Sequence, residues 1–336
     1  MEWTEHLLAW YEANKRDLPW RRTTEAYPVW ISEIMLQQTR VEAVRGYWTR
    51  FLEALPTVEA LATVEEDRLL KLWEGLGYYS RARNLKRAAQ QIMERFGGAL
   101  PKDYAALLSL PGIGEYTAGA IASIAFGIPV PAVDGNVLRV MARLRDDASD
   151  ILDPAVRRAV RQHLCEELPA ERPGAFNQAM MELGATVCMP NGAPHCEACP
   201  LAQFCRARAA GRERVLPVRS GKKARRVEEK TVFVLRGTQG TVAGYRREAG
   251  GLLASLYQLP DVPGFLEPAE MAAQLAAWGA RPLGEWRIYD RRHVFTHIEW
   301  HMRVVALQAE LRALPHGWVW LDEAVHSLPT AYRVCL

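Results

Sequence analysis

Apolar residues recur at three-to-four spacing through the first two thirds of the chain. The segments "VEAVRGYWTRFLEAL", "EDRLLKLWEGLG", "RNLKRAAQQIMERFG", "DYAALLSL" and "AVRRAVRQHLCEEL" each gather them on one face, which predicts a series of amphipathic helices. Pro56, Gly75 with Gly77, Gly97 with Gly98, Pro111 and Pro169 punctuate them. Short helices joined by tight turns predict a compact helical array rather than a coiled coil. From about residue 229 the pattern changes. "TVFVLRGTQGTVAGYRR" predicts two strands about a Gly-containing turn, and "WRIYDRRHVFTHIEWHMRVVALQAE" predicts two longer ones. Between them "PAEMAAQLAAWGA" predicts a helix, so the last third has the character of a small α+β domain. "LPVRSGKKARRVEEK" has neither period. The expected division is a helical region over 1–216, a basic linker over 217–228 and an α+β domain over 229–336.

At 336 residues the chain is long enough for two domains with cores of their own. "MEWTEHLLAW" lacks the basic-then-apolar order of an export signal. The run "AGAIASIAFGIPVPAV" is broken by two prolines and falls short of the roughly 20 residues of a membrane helix. An intracellular protein is expected, cytoplasmic and, in a bacterium, nucleoid-associated. The net charge of +3 decides little, but from Arg206 to Arg226 nine Lys or Arg face a single acid, Glu213. Such a stretch serves either as a solvated linker or as a contribution to binding a phosphate backbone.

Four of the six cysteines fall within "CMPNGAPHCEACPLAQFC": Cys188, Cys196, Cys199 and Cys205, spaced C-x7-C-x2-C-x5-C. Clustered thiols in a reducing compartment point to a metal site rather than to disulfides. Zinc accepts four thiolates and so does a [4Fe–4S] cluster, and spacing does not choose between them. His195 is expected to be a loop histidine; Cys165 and Cys335 are expected to be buried as small hydrophobes.

"LPGIGEYTAGAIASIAF" places a tight Pro-Gly-Ile-Gly turn, with Gly112 and Gly114, between two helices. Glycines allow close backbone approach, and the bare N–H groups at the start of the second helix can grip an anion such as a phosphate without reading a base. Two acids stand out. Glu33 lies in "VWISEIMLQQT" among Trp30, Ile31, Ile34, Met35 and Leu36, which implies burial and hence a partner or a raised pKa. Asp134 ends an apolar run in "VPAVDGNVLRV", where it is also a fitting N-cap for the helix that follows.

The set "RDLPWR", "WISEIMLQQT", "GLGYYSRARNL", "LPGIGEYTAGAIAS", "VDGNVLRV" and the four cysteines resembles the MutY family, the adenine DNA glycosylases of the helix–hairpin–helix superfamily. The similarity spans the helical region and continues more weakly into the last third. It implies a mainly α helix–hairpin–helix glycosylase with an iron–sulfur loop at 188–205, followed by an α+β Nudix-like domain. The implied reaction is removal of adenine mispaired with 8-oxoguanine or guanine in double-stranded DNA, by a monomer. The related endonuclease III pattern carries a lysine where this chain has Tyr116. Tyrosine has no amine for a Schiff base, so the resemblance implies a monofunctional hydrolytic enzyme.

By family position Glu33 donates a proton to adenine, Asp134 stabilises positive charge on the sugar, Asn136 orients that pair and Tyr116 packs beside the sugar. Arg16, Trp20, Arg21 and Gln178 line the adenine pocket. Gln38 is the wedge that fills the gap left by the flipped base, Thr39 lies beside the opposite base, and Leu76 and Tyr78 form an insertion loop. In the last domain Phe295, Thr296 and His297 occupy the place of a Phe-Ser-His loop that reads 8-oxoguanine, with Thr296 keeping the hydroxyl. The cysteines are implied to hold one [4Fe–4S] cluster, although the first gap, at seven residues, is one longer than the family's usual spacing. The predicted helix "PAEMAAQLAAWGA" has one acid, too few for the metal-binding helix of a working Nudix hydrolase.

Two rivals stay in view, a pyrimidine-lesion glycosylase with lyase activity and a non-catalytic damage-binding protein. Tyr116 and the last domain weigh against the first, the retained pair Glu33 and Asp134 against the second. Metal analysis of anaerobically purified protein should find iron with inorganic sulfide and the broad visible absorbance of a cluster. Zinc with no visible absorbance would remove the cluster assignment.

Overall fold

Helices of two to four turns are marginal alone and are held by the faces they bury. The computed structural model describes residues 2–221 and 224–336 and divides into two units, Met1–Val64 with Arg83–Gly221, and Glu65–Ala82 with Lys222–Leu336. Met1 and, within the expected linker, Lys222 and Lys223 lie outside the described residues.

The first unit is helical: α1 (Glu2–Asn14), α2 (Ala26–Met35), α3 (Val41–Ala54) and α4 (Val58–Thr63) precede the segment that joins the second unit. That segment carries α5 (Glu66–Leu72) and the start of α6 (Ser80–Phe96). After it come α7 (Tyr104–Leu108), α8 (Glu115–Phe126), α9 (Gly135–Arg145), α10 (Pro154–Glu167), α11 (Pro173–Thr186) and the short α12 (Arg206–Ala209). Side-chain caps set several starts: Thr57, Asp103, Asp134 and Asp153 accept from backbone N–H groups of α4, α7, α9 and α10. α2 is apolar nearly all round and runs through the middle, with Trp30, Ile31 and Met35 inaccessible. It packs on α8, whose small residues allow close approach, while α1, α8 and α9 pack on α11. Leu7, Met141, Phe176, Met180 and Leu183 form the core beside the cysteine loop.

The second unit is built on a mixed sheet of β1 (Arg226–Arg236), β2 (Val242–Arg246), β3 (Tyr257–Gln258), β4 (Asp261–Pro263), β5 (Ala280–Val294), β6 (Ile298–Leu311) and β7 (Trp318–Leu321). Its order is β3-β2-β1-β6-β5, with β4 on β1 and β7 on β2; β1 and β6 are parallel, and β5 and β6 antiparallel. Period-two alternation in β1 sends Val232 and Val234 to one core and Phe233 and Leu235 to another. Two helices cover these faces: α14 (Thr330–Arg333), through Ala331 and Tyr332 with Cys335 just after it, and α13 (Pro268–Ala277), through Met271 and Leu275.

Two boundaries differ from expectation. Residues 65–82, expected in the helical region, group with the α+β unit. Arg246 Nη2 lies 3.0 Å from Asp67 Oδ1, and Glu74 accepts from Arg333 and from the Leu328 N–H. Helical periodicity identifies a helix but not the core it will join. The expected linker also ends early, because β1 begins at Arg226 and pairs with Ile298 through main-chain hydrogen bonds that need no apolar side chain. Of the two cysteines expected to be buried, Cys335 is and Cys165 is exposed. Cys165 sits on the outer face of α10, whose inward position is taken by its neighbour Leu164.

The hairpin between α7 and α8 has the expected form. Gly112 has φ +77°, and a Cβ there would come within 2.7 Å of Asn84 Cβ on α6. Gly112→Ala should therefore cost about 1–3 kcal/mol of stability, read from the urea midpoint. An unchanged midpoint would mean that the hairpin relaxes freely.

Candidate active site

The first unit encloses a cavity of about 750 Å3, within the usual range for a small-ligand pocket. Glu33, Tyr116, Asp134 and Asn136 line it, as do Arg16, Trp20, Arg21 and Gln178, and Gln38, Thr39 and Gly114. Eleven expected site residues from five segments thus converge on one space.

Glu33 is in the last turn of α2 and only 5% exposed. Burial raises its pKa to about 7, helped by the nearby Asp134 carboxylate and opposed by a hydrogen bond from Tyr116 and the charge of Arg21. Tyr116, the second residue of α8, donates its hydroxyl to Glu33 Oε2 at 2.7 Å, and Met181 Sδ lies 3.0 Å from the Tyr116 hydroxyl oxygen. Burial and the two carboxylates push the Tyr116 phenol well above its ordinary value, so it remains a donor.

Asp134 caps α9, as expected, and also lines the cavity. Its Oδ1 accepts from Val137 N at 2.8 Å and its Oδ2 from Asn136 Nδ2 at 2.7 Å. Burial raises its pKa while these donors act against the rise. Asn136 in turn accepts from Arg139 Nη2 at 2.8 Å, and Arg139 also donates to Gly184 O and Cys188 O, both at 2.7 Å. Gly184 of α11 is packed so closely that a Cβ there would lie 2.6 Å from Asn136 Cβ.

The wall made by Arg16 and Arg21 contains an acid that sequence reasoning missed. Glu182 on α11 has a side chain 1% exposed and accepts from Arg16 N, Nε and Nη2 and from Arg21 Nη2 at 2.7–2.9 Å. Burial alone would raise its pKa, but the two arginines outweigh it and hold Glu182 down at about 2. The signal was available: "NQAMMELGA" sets this acid among apolar residues, as "WISEIML" does Glu33. Arg139 was missed too: it stands among apolar residues in "NVLRVMARL", but helical periodicity does not show that its guanidinium is buried, at 3% exposed. Trp20, at 7% exposure, combines a core position with a pocket wall and meets Trp48 edge-on at 6.2 Å. Tyr11 donates to Gln178 Oε1 at 3.2 Å. Gln38, at the open side, is exposed and held at φ +57°, a strained backbone for a non-glycine residue. Gly114 caps α8 with extended backbone and open space where its Cβ would be. The glycine there meets no demand of the fold and leaves room for a ligand near the N–H groups of α8.

The four cysteines line one small apolar hollow with Val140, Leu144 and Leu183. Arg143, 4% exposed, places Nη1 3.2 Å from Cys188 Sγ. A buried guanidinium against Cys188, in a hollow lined by four thiols, suits an anionic, thiolate-ligated group. Among the described residues no three His, Cys, Asp or Glu are gathered so as to hold a single metal ion.

The remaining expected residues belong to the second unit. Leu76 is buried at 6% exposure and Tyr78 projects at 45%, so it is Tyr78 that the loop presents to solvent. The Tyr78 hydroxyl lies 2.7 Å from Thr296 Oγ1, which brings together two residues 218 positions apart. Thr296 and His297 are exposed at the turn between β5 and β6, while Phe295 packs edge-on against Trp300 at 4.8 Å.

Residues 31–166 match the model of the HhH-GPD superfamily base excision DNA repair proteins, and residues 231–336 that of the NUDIX domain. The adenine DNA glycosylase of Homo sapiens is 36% identical over 94% of this chain and 69% of its own length. Among solved structures, a thermostable thymine-DNA glycosylase is 27% identical with a TM-score of 0.56, covering 62% of this chain and 95% of that one. A non-covalent endonuclease III–DNA complex is 26% identical with a TM-score of 0.53, covering 63% and 95%.

Because the Glu33 carboxyl titrates near 7 when folded and near 4.5 when unfolded, folding takes up a proton between those values. The stability gained from holding that proton is full at low pH and lost as pH rises through about 7, a change of about 3 kcal/mol. Glu33→Gln lacks this titration, so its stability advantage over the wild type should grow from pH 5 to pH 8 in urea unfolding. Parallel pH profiles for the two proteins would remove the raised pKa.

Proposed function

The chain belongs to the adenine DNA glycosylase family, and on that premise we propose that it hydrolytically removes adenine paired with 8-oxoguanine or guanine in double-stranded DNA, leaving an abasic site. The single observation that carries the mechanism is the buried Glu33 carboxyl, raised to about 7 in the cavity it shares with Asp134. Adenine leaves poorly as an anion. Glu33 supplies a proton to a ring nitrogen as the bond to the sugar breaks and its electron pair moves onto the base. The sugar gains oxocarbenium character, which Asp134, oriented by Asn136, stabilises as an ion pair or a transient covalent adduct. Water then adds to the anomeric carbon and its proton returns to Glu33. Tyr116 fixes the Glu33 carboxyl through its hydroxyl and has no amine with which to open the sugar as a lyase would.

The target base has to be flipped from the duplex, at a cost of a few kcal/mol that a mispair lowers. Trp20 offers a stacking face for the extruded purine, and Arg16, Arg21 and Gln178 complete its pocket; Glu182 keeps the two guanidiniums in place. Gln38 fills the vacated position with Thr39 beside it, and Gly112 with Gly114 brings the hairpin's N–H groups to a phosphate. Tyr78, Phe295, Thr296 and His297 meet the opposite base. Cys188, Cys196, Cys199 and Cys205 hold one [4Fe–4S] cluster, which takes no part in the glycosidic chemistry and stiffens the loop around it. The enzyme acts as a monomer in the cytoplasm, away from membranes; among the described residues no helix is long and apolar enough to cross one.

Duplexes holding A:8-oxoguanine, A:G or thymine glycol, treated with and without alkali after incubation, test this reading. Breakage at adenine alone, and only after alkali, is expected. Glu33→Gln should bind the mispaired duplex while releasing adenine at least about 10²-fold more slowly in single turnover. Strand cleavage without alkali, or near-normal release by the variant, would overturn the assignment.

A further inference from the structure

The loop that presents Tyr78 is held from one side by a short ionic clamp formed with the last described segment of the chain. Glu74, one residue before the loop Gly75–Tyr78, is a hub. Its Oε1 accepts from Leu328 N at 2.9 Å and from Arg333 Nη2 at 2.8 Å, and its Oε2 from Lys71 Nζ at 2.6 Å. Arg333 is tied back by Nε, which donates to Leu328 O at 3.0 Å. The side chain of Glu74 is 15% exposed and that of Arg333 40%, so the acid is shielded from water while the guanidinium stays partly solvated. The segment that supplies Leu328 and Arg333 is anchored in the sheet's core, where Leu328, Ala331, Tyr332 and Cys335 are buried. Tyr332 donates to Asp261 Oδ2 at 2.9 Å, which fixes the seat of the clamp on the sheet.

The loop itself is costly to order. Gly75, Gly77 and Tyr78 all have positive φ, at 97°, 71° and 47°, and Tyr78 is not a glycine. Trp73 Nε1 donates to Gly77 O at 3.1 Å, and Arg81 Nη2 donates to Leu76 O and Gly77 O at 3.2 and 3.1 Å. These bonds shape the loop from within, whereas the clamp ties its entry to the segment seated on the sheet that carries Thr296.

We propose that Glu74 and Arg333 are positioning residues, which lock the entry of the Tyr78 loop to the sheet so that the Tyr78 hydroxyl stays on Thr296, and thereby set the preference for the base opposite adenine. The specificity part rests on the assignment of Tyr78 and Thr296 to that base; the clamp does not. Neither residue lines the catalytic cavity, so release of adenine from an A:G duplex should persist when the clamp is opened.

The test compares full-length wild type, Arg333→Met, Arg333→Lys and Glu74→Gln. In the free proteins, hydrogen exchange of the peptide spanning 73–79 should rise about fivefold or more in Arg333→Met and Glu74→Gln, with exchange of β1 unchanged and the lysine variant close to wild type. In single turnover, the ratio of rates on A:8-oxoguanine and A:G should fall about fivefold or more in the same two variants and recover with lysine. Unchanged loop exchange in both variants overturns the clamp. Should Arg333→Met loosen β1 as well, Glu74→Gln decides, since its amide oxygen keeps the acceptor for Leu328 N–H while the charge and the Oε2 acceptor of Lys71 are lost. Faster loop exchange with an unchanged rate ratio overturns the specificity role. A wild type that excises adenine with no preference between the two duplexes, while the variants show faster loop exchange, leaves the clamp standing and defeats the assignment of Tyr78 and Thr296 instead.

Discussion

A single carboxyl group held out of water underlies the chemistry proposed for this chain. Glu33 sits in the most apolar helix of the first unit, with Trp30, Ile31 and Met35 around it inaccessible to water. Such surroundings penalise the charged form, and the carboxyl therefore holds its proton up to about pH 7. The penalty is tolerable only because Tyr116 hydrogen-bonds the group in either state and because the core formed by α2, α8 and α11 is well packed. Destabilisation concentrated at a working group and offset by the surrounding core is a usual trade at functional sites.

The cavity separates its acids by environment. Glu182 lies within the same walls and is as deeply buried as Glu33, yet its pKa is held near 2 because Arg16 and Arg21 close on it. Glu33 has a phenol for its partner and Glu182 two guanidiniums, and that difference keeps one protonated up to about pH 7 and the other ionised. Asp134 is raised by burial but supplied with a backbone and an amide donor that act against the rise, through its place at the start of α9. The close packing of Gly184 on Asn136 and the reach of Arg139 to Cys188 O link that carboxylate to α11 and to the cysteine loop.

The second unit works by a different economy. Its sheet has two cores because β1 alternates apolar side chains to both faces, and each face is closed by its own helix. The long β5–β6 hairpin then carries polar residues at its turn, where Thr296 and His297 are exposed. A loop elsewhere in the chain meets this unit through side-chain contacts, Glu74 to Arg333 and Tyr78 to Thr296.

Much of this was legible in the amino-acid order. Helix periodicity, the Pro-Gly-Ile-Gly turn, the strand alternation and the spacing of the cysteines are local properties, and local properties are written in neighbouring residues. Glu33 was conspicuous because an acid within an apolar helix is anomalous wherever that helix ends up. Glu182 carried the same anomaly, but its meaning depended on Arg16 and Arg21, more than 160 positions away. The helix over Glu66–Leu72 was evident from its period, whereas its place in the second unit was not, since amphipathicity says that a face will be buried and not against what. What the chain determined by itself were its elements and its chemically unusual residues; what only tertiary structure decided were the partners, and with them the protonation of each carboxyl. A pKa is set by solvent exclusion and by charges within a few ångströms, and those distances exist only once remote segments have packed together.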